Sequence, residues 1–249
     1  MTAPALLLLA HGSRDARSPR TVRALRDAVR ALRPDLRVEQ AFLELSEPLP
    51  QDIFARLASD GVEEVVVVPL LLTEAYHARV DVPSAVAEAG ARHPDLRIGT
   101  TGVLGARRGF LDVLDRRLRT ALAHARVREL DALVLAAAGS SDPLAGAGVA
   151  RVARAWGARH RLPVLTAFAS ACPPSTGEAV RAFRAEGRRH IAVGSFLLAP
   201  GFLLDRASEL ALEAGAVAVS EPLGADEEVA RTVLERYAVG AVDLVPLPA

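Results

Sequence analysis

Lysine and asparagine are absent from this 249-residue sequence, and cysteine, methionine and tryptophan occur once each. Without lysine there is no Schiff-base nucleophile, no anchor for pyridoxal phosphate and no phosphate-loop lysine. The single cysteine, Cys172, excludes an internal disulfide and a cysteine-rich metal site, and reads as a lone buried thiol. A net charge is also missing: 30 basic residues, all arginine, balance 30 acidic ones. No basic surface excess follows, so nucleic acid is not an expected partner. Long hydrophobic runs are missing too. Ala5–Ala10 and Val65–Leu72 fall short of the roughly 20 residues that span a bilayer, so no membrane partner is expected. The first run has no basic flank before it and leads straight into His11-Gly12-Ser13, unlike a signal peptide. These features predict a soluble, cytoplasmic protein.

What is present is apolar sequence in short, regular pieces. Hydrophobic residues make up 51% of the chain, enough for one large core or two small ones of roughly 120 residues each. Ala5–Ala10, Val38–Leu45, Val65–Leu70 and Leu96–Thr100 read as strands, the first as a continuous apolar run of the kind buried on both faces. Helical patterns separate them. One starts at a Ser18-Pro19 cap with Val22, Leu25, Val29 and Leu32 on one stripe. A second spans about Pro48 to Ser59, and a third is capped by Asp81 and runs to about Arg92. A long helix is predicted over Arg107–Val127. The order then recurs, with strands at Leu133–Ala137, Val164–Phe168, Ile191–Leu197 and Val217–Val219. Helices are predicted over Pro143–His160, Glu178–Glu186, Asp205–Ala214 and Asp226–Tyr237. Alternating strands and helices with short connections predict an α/β chain with parallel sheets covered by helices on both faces.

The recurrence is visible residue by residue. ALLLLAHGSRD from Ala5 parallels ALVLAAAGSSD from Ala132, and the segment from Val38 parallels that from Val164 without a gap. VVVVPLLLTEAYH from Val65 parallels IAVGSFLLAPGFL from Ile191. The simplest account is duplication of one βαβαβαβα unit, with the boundary near Glu129. The prediction is two tandem flavodoxin-like domains, residues 1–128 and 129–249.

Ligands of open parallel sheets bind beyond the carboxyl ends of the strands. In the first half those positions carry His11 to Asp15, then Glu44 and Glu47, then Thr73 to His77, followed by Arg79 and Asp81. Two imidazoles and one or two carboxylates can converge there, a set that suits iron, cobalt, nickel or zinc. The second half has lost the set together: Ala138 stands for His11, Ser170 for Glu44, Pro173 for Glu47 and Leu203 for His77. Its scaffold residues Gly139, Ser140 and Phe168 remain, so the lost residues read as one functional unit. The other histidines, His93, His124, His160 and His190, sit at helix ends or before a strand and read as solvated or placed against helix dipoles. Trp156 falls on the apolar stripe of its helix and reads as core.

Three motifs in order, HGSRD, FLELSEP and PLLLTEAYHARVDVP, cover roughly the first 85 residues. In these the first half resembles the sirohydrochlorin chelatases, the small class II chelatases of tetrapyrrole biosynthesis. The second half is similar to the degenerate repeat of the family's two-domain long form. The resemblance implies a lyase that inserts Fe²⁺ or Co²⁺ into sirohydrochlorin for sirohaem or cobalamin, with residues 1–128 catalytic. It implies His11 as metal ligand and proton acceptor, and His77 as second metal ligand. Glu47 with Leu72, Thr73, Glu74, Ala75 and Tyr76 is implied to hold the tetrapyrrole, and Glu44 adds a carboxylate at the site mouth. The partner would be a small polycarboxylate tetrapyrrole, with Arg14 and Arg79 able to pair with its acids. The protein would be a monomer or homodimer and need no cofactor beyond the substrate metal. Three other readings stand beside this one. A carrier of metal or tetrapyrrole needs the same ligands, and a plain flavodoxin-like binding module shares the fold. A histidine phosphatase also places histidine after its first strand, but wants an arginine where this chain has Ala10.

Overall fold

The computed structural model describes residues 3–73, 77–107, 109–140 and 143–245. In chain order its elements are β1 (Ala5–Ala10), α1 (Arg17–Leu32), β2 (Val38–Phe42), α2 (Pro50–Ser59), β3 (Glu64–Pro69), α3 (Val82–Arg92), β4 (Arg97–Thr100) and α4 (Phe110–His124). They continue with β5 (Ala132–Ala137), α5 (Pro143–His160), β6 (Val164–Phe168), α6 (Thr176–Ala185), β7 (Ile191–Phe196), α7 (Phe202–Glu213), β8 (Ala218–Val219) and α8 (Glu227–Asp243). The strands form two parallel four-stranded sheets of the same order, β2-β1-β3-β4 and β6-β5-β7-β8. The two tandem α/β sheets predicted from the repeat are therefore present.

Each sheet is built by the pattern that predicted it. All six residues of β1 are buried, as a central parallel strand with helices on both faces requires. Alternation then splits each strand between two cores. Leu7, Leu9, Val65 and Val67 join Ile53, Phe54 and Leu57 of α2 and Val82 and Ala89 of α3. In the second sheet Val134, Ala136, Ile191 and Val193 join Ala179, Val180 and Phe183 of α6 and Ala211 of α7.

Most element ends shift by a few residues from the sequence reading, and α8 runs six residues further, to Asp243; three of the shifts have a local reason on view. The α1 helix begins at Arg17, because the Asp15 carboxylate, not Ser18, receives a backbone donor there: Arg17 N–H donates to Oδ1 at 2.9 Å. The β2 strand ends at Phe42, because Leu45 takes a left-handed backbone (φ 60°) that no strand can hold. Asp81 does not cap α3. It is itself helical (φ −72°, ψ −39°), and a π-helical turn, His77–Asp81, precedes the helix.

The chain divides into two compact units, Met1–Gly105 with Ala225–Ala249, and Ala106–Gly224. This division differs from a cut at residue 128, since α4 belongs to the second unit and α8 to the first. In the second unit the buried stripe of α4 lies on β7 and β8: the Phe110 ring is 6.4 Å from Phe196, and Arg117 donates to the Leu223 carbonyl at 3.0 Å. In the first unit α8 lies on β3, β4 and α1. Tyr237 donates its hydroxyl to the Pro4 carbonyl at 2.7 Å. A methyl at Gly240 would stand 2.6 Å from Thr101 Cγ2 and 2.7 Å from Val66 Cγ1, so glycine is what lets this helix approach the sheet. Hydrophobic periodicity shows that a helix has a buried face but does not say which sheet covers it.

Within the second unit a buried carboxylate escaped the sequence reading. Asp115, 5% exposed, accepts from Trp156 Nε1 at 2.8 Å and lies 2.8 Å from His160 Nε2 and 3.1 Å from Arg159 Nε. His160 is thus a hydrogen-bonding partner of Asp115 rather than a merely solvated helix end. Trp156 is fully buried, as its place on the apolar stripe predicted.

Candidate active site

The carboxyl edge of the first sheet is made by two loops that continue the β1–β2 ladder past the ends of both strands. Leu43 N–H donates to the Ala10 carbonyl at 2.9 Å and Glu44 N–H to the His11 carbonyl at 3.0 Å. Gly12 then turns the chain at φ +102°. A Cβ at that position would stand 1.7 Å from the Glu44 carbonyl oxygen, so the two loops can lie this close only over glycine. Gly12→Ala is expected to cost about 3 kcal/mol or more, from the clash and the left-handed backbone together. Urea denaturation checks this, and an unchanged midpoint would show that the loops separate freely.

Beyond Gly12 the loops are joined by side chains. Ser46 Oγ accepts from Ser13 N–H at 3.1 Å and donates to the Ser13 carbonyl at 2.7 Å. Ser13 Oγ in turn accepts from Asp15 N–H at 3.1 Å. Asp15 is 8% exposed, and hydrogen bonds from the Arg17 guanidinium hold its carboxyl down at about 2. It is therefore a fixed anion anchoring the start of α1 rather than a proton acceptor near neutral pH.

This frame presents His11 and Glu44 to the same side. His11 Nδ1 lies 3.4 Å from Glu44 Oε1, with the imidazole about one-third exposed and the carboxylate more than half exposed. Both side chains are partly exposed, while the Nδ1 atom that faces Glu44 is itself buried. Glu47 is exposed and immediately precedes a cis peptide to Pro48. Leu72 and Thr73 are half-buried in the segment that follows β3. Arg14 and Arg79 are exposed. Glu74, Ala75, Tyr76 and the imidazole of His77 lie outside the described residues. The backbone of His77 opens the π-helical turn before α3, a feature that often accompanies functional positions. Among the described residues, no group of three or more His, Cys, Asp or Glu side chains is placed to hold a metal ion. His11 and Glu44 are thus the pair whose proximity the structure displays.

The second sheet carries the same frame without the pair. Gly139 turns at φ +93°, where a Cβ would stand 2.0 Å from the Ser170 carbonyl. Ser170 N–H donates to the Ala138 carbonyl at 3.0 Å, the counterpart of Glu44 to His11. Ala171 repeats the left-handed backbone of Leu45 (φ 65° against 60°), and Pro173-Pro174 repeats the cis peptide of Glu47-Pro48. The backbone of the loop is duplicated while its imidazole and both carboxylates are gone.

A family model described as CbiX matches residues 5–121 and again residues 132–239. The chain belongs to the CbiX family. The double match also agrees with the internal duplication. Among curated proteins this CbiX-family chain is similar to a sirohydrochlorin ferrochelatase of Bacillus subtilis. The two are 28% identical over 207 residues, which is 81% of this chain and 76% of that protein. It is also similar to a sirohydrochlorin cobaltochelatase of Priestia megaterium, 25% identical over 211 residues, 82% of this chain and 67% of the other. Among solved structures, SirB from Bacillus subtilis with Fe³⁺ superimposes with a TM-score of 0.80 at 26% identity, covering 97% of this chain and 96% of that one. No helix among the described residues is long and apolar enough to cross a membrane.

Sequence reasoning reached His11 and Glu44 through their loss from the second copy. It missed Ser13 and Ser46 as a pair. Their signal was available, since Ser46 aligns with Cys172, a residue of nearly the same size and a much weaker hydrogen-bonding group.

Proposed function

We propose that this CbiX-family chain inserts a divalent metal ion, Fe²⁺ or Co²⁺, into sirohydrochlorin as a cytoplasmic chelatase. One observation carries the reading. The imidazole–carboxylate pair His11–Glu44 stands at the carboxyl edge of the first sheet, and the chain's own second copy keeps that loop and drops the pair. Insertion requires that two pyrrole N–H protons leave and that the ion exchange its waters for pyrrole nitrogens. A neutral imidazole can accept such a proton or hold the ion, and a carboxylate 3.4 Å away can pass the proton to solvent. In this reading His11 is metal ligand and proton acceptor and His77 the second metal ligand. Glu47 and the segment Leu72, Thr73, Glu74, Ala75 and Tyr76 hold the macrocycle, and Arg14 and Arg79 pair with its peripheral carboxylates. Imidazole and carboxylate accept both iron and cobalt, and the similar curated proteins include a chelatase named for each.

Anaerobic incubation with sirohydrochlorin and Fe²⁺, Co²⁺ or Ni²⁺, followed by absorption spectroscopy, tests the proposal. The expected result is multiple turnovers with at least one of Fe²⁺ and Co²⁺, faster than the uncatalysed reaction. A single stoichiometric binding event with no acceleration would mark the chain as a carrier and overturn the enzymatic reading.

A further inference from the structure

The geometry points to Ser46 as a positioning residue for metal insertion: its hydroxyl clasps the His11 loop to the Glu44 loop and so sets the distance between imidazole and carboxylate. This rests on the proposed roles of His11 and Glu44, and adds a residue that does not itself touch metal or macrocycle. Three contacts hold the loops together past the strand ends. Two are backbone rungs, Leu43 to Ala10 and Glu44 to His11. The third is the reciprocal pair in which Ser46 Oγ both accepts from and donates to the Ser13 backbone, at 3.1 and 2.7 Å. His11 and Glu44 are themselves the second backbone rung, and the serine clasp closes the loops two residues further along each of them.

The second copy serves as an internal control. It retains both backbone rungs, as Ala169 to Ala137 at 2.8 Å and Ser170 to Ala138 at 3.0 Å. It also retains the glycine, the left-handed residue and the cis proline. At the place of Ser46 it has Cys172, whose thiol donates and accepts only weakly. Its Ser170 hydroxyl donates instead to the Ala138 carbonyl at 2.9 Å. The hydroxyl clasp is thus found in the copy that has an imidazole and a carboxylate to hold in register. The backbone rungs, which shape the loop, are found in both. A clasp needed only to fold the loop would be required equally by the second copy.

The test is a variant series in the full-length chain, assayed anaerobically with sirohydrochlorin and Co²⁺. Ser46→Ala is expected to lower kcat about tenfold while KM for sirohydrochlorin changes less than about twofold, because misplacing a reacting group slows the chemical step rather than binding. Ser46→Cys, which keeps the volume and imitates the second copy, should be equally slow, and this variant carries the test should the alanine variant misfold. Ser46→Thr, which retains the hydroxyl, should restore at least half of the parental kcat. In a Glu44→Gln background Ser46→Ala should cost less than about twofold further, because the distance it sets no longer matters. Parental kcat in both the alanine and cysteine variants would overturn the inference, as would an undiminished loss in the Glu44→Gln background. His11→Ala is run beside them. If that variant is inactive while Ser46→Ala keeps parental kcat, the clasp alone is wrong. If His11→Ala is itself fully active, the site reading fails and takes the clasp with it.

Discussion

His11→Ala is expected to lower the rate of metal insertion by about a hundredfold or more, the usual contribution of a positioned proton acceptor. The loss should lie in kcat and persist at saturating metal and sirohydrochlorin. The fold should be unaffected, because the side chain is about one-third exposed beyond a strand end. A substitution at such a place changes stability by only about 0.5 kcal/mol. His77→Ala should act in the same direction by roughly tenfold or more, mainly through weaker retention of the ion. Turnover by the spectral assay and a thermal melt on each variant check both statements. An active, well-folded His11→Ala protein would remove His11 from the mechanism.

A chain ending at Val127 should fail to fold although it retains His11, Glu44, Glu47 and His77. Such a chain keeps every proposed ligand, and from the sequence repeat alone it looks like a complete first domain. It lacks α8, which covers β3, β4 and the flank of α1. Val229, Val233 and Tyr237 are buried on that face, as is Thr232. Each large apolar side chain removed from this interface forfeits about 1.5–3 kcal/mol of burial, and the exposed sheet face loses its cover as well. Against a total stability of about 5–15 kcal/mol the loss is large enough to unfold the unit. The truncated chain also carries α4 with nothing to cover its stripe of Phe110, Leu114 and Leu118, which favours aggregation. Soluble expression, circular dichroism and urea denaturation decide the matter. A soluble fragment with a cooperative transition and parental turnover would show that α8 is dispensable to the first sheet.

The two predictions differ in how much of each was legible beforehand. The strands were legible because central parallel strands are apolar throughout, and Ala5–Ala10 and Val65–Val68 have no other reading at their length. The pairing of His11 with Glu44 was legible as proximity, since both follow adjacent strands of one sheet and both vanish from the repeat together. Their 3.4 Å separation was not, because it depends on Gly12 admitting the Glu44 carbonyl and on the Ser13–Ser46 contact, 33 residues apart in the chain. Helix caps failed in the same way. Ser18 and Asp81 are good capping types, but Asp15 receives the Arg17 N–H instead and the π-helical turn moved the start of α3 beyond Asp81. Such competition among neighbouring polar groups is settled by geometry and not by residue type.

The sequence by itself determined the class of fold and its duplication, and it singled out the strand-end residues of the first half on which the proposed chemistry rests. Each of these follows from local patterns: strand and helix periods, residues at strand ends, and the contrast between two copies in register. The tertiary structure alone decided which helices complete each sheet, that Asp115 is buried beneath Trp156 and His160, and how the loops hold His11 against Glu44. These depend on contacts between residues far apart in the chain, such as Tyr237 with Pro4 and Asp115 with Trp156. An amphipathic helix is satisfied by any apolar surface of the right shape, so its period leaves the partner open until the chain has folded.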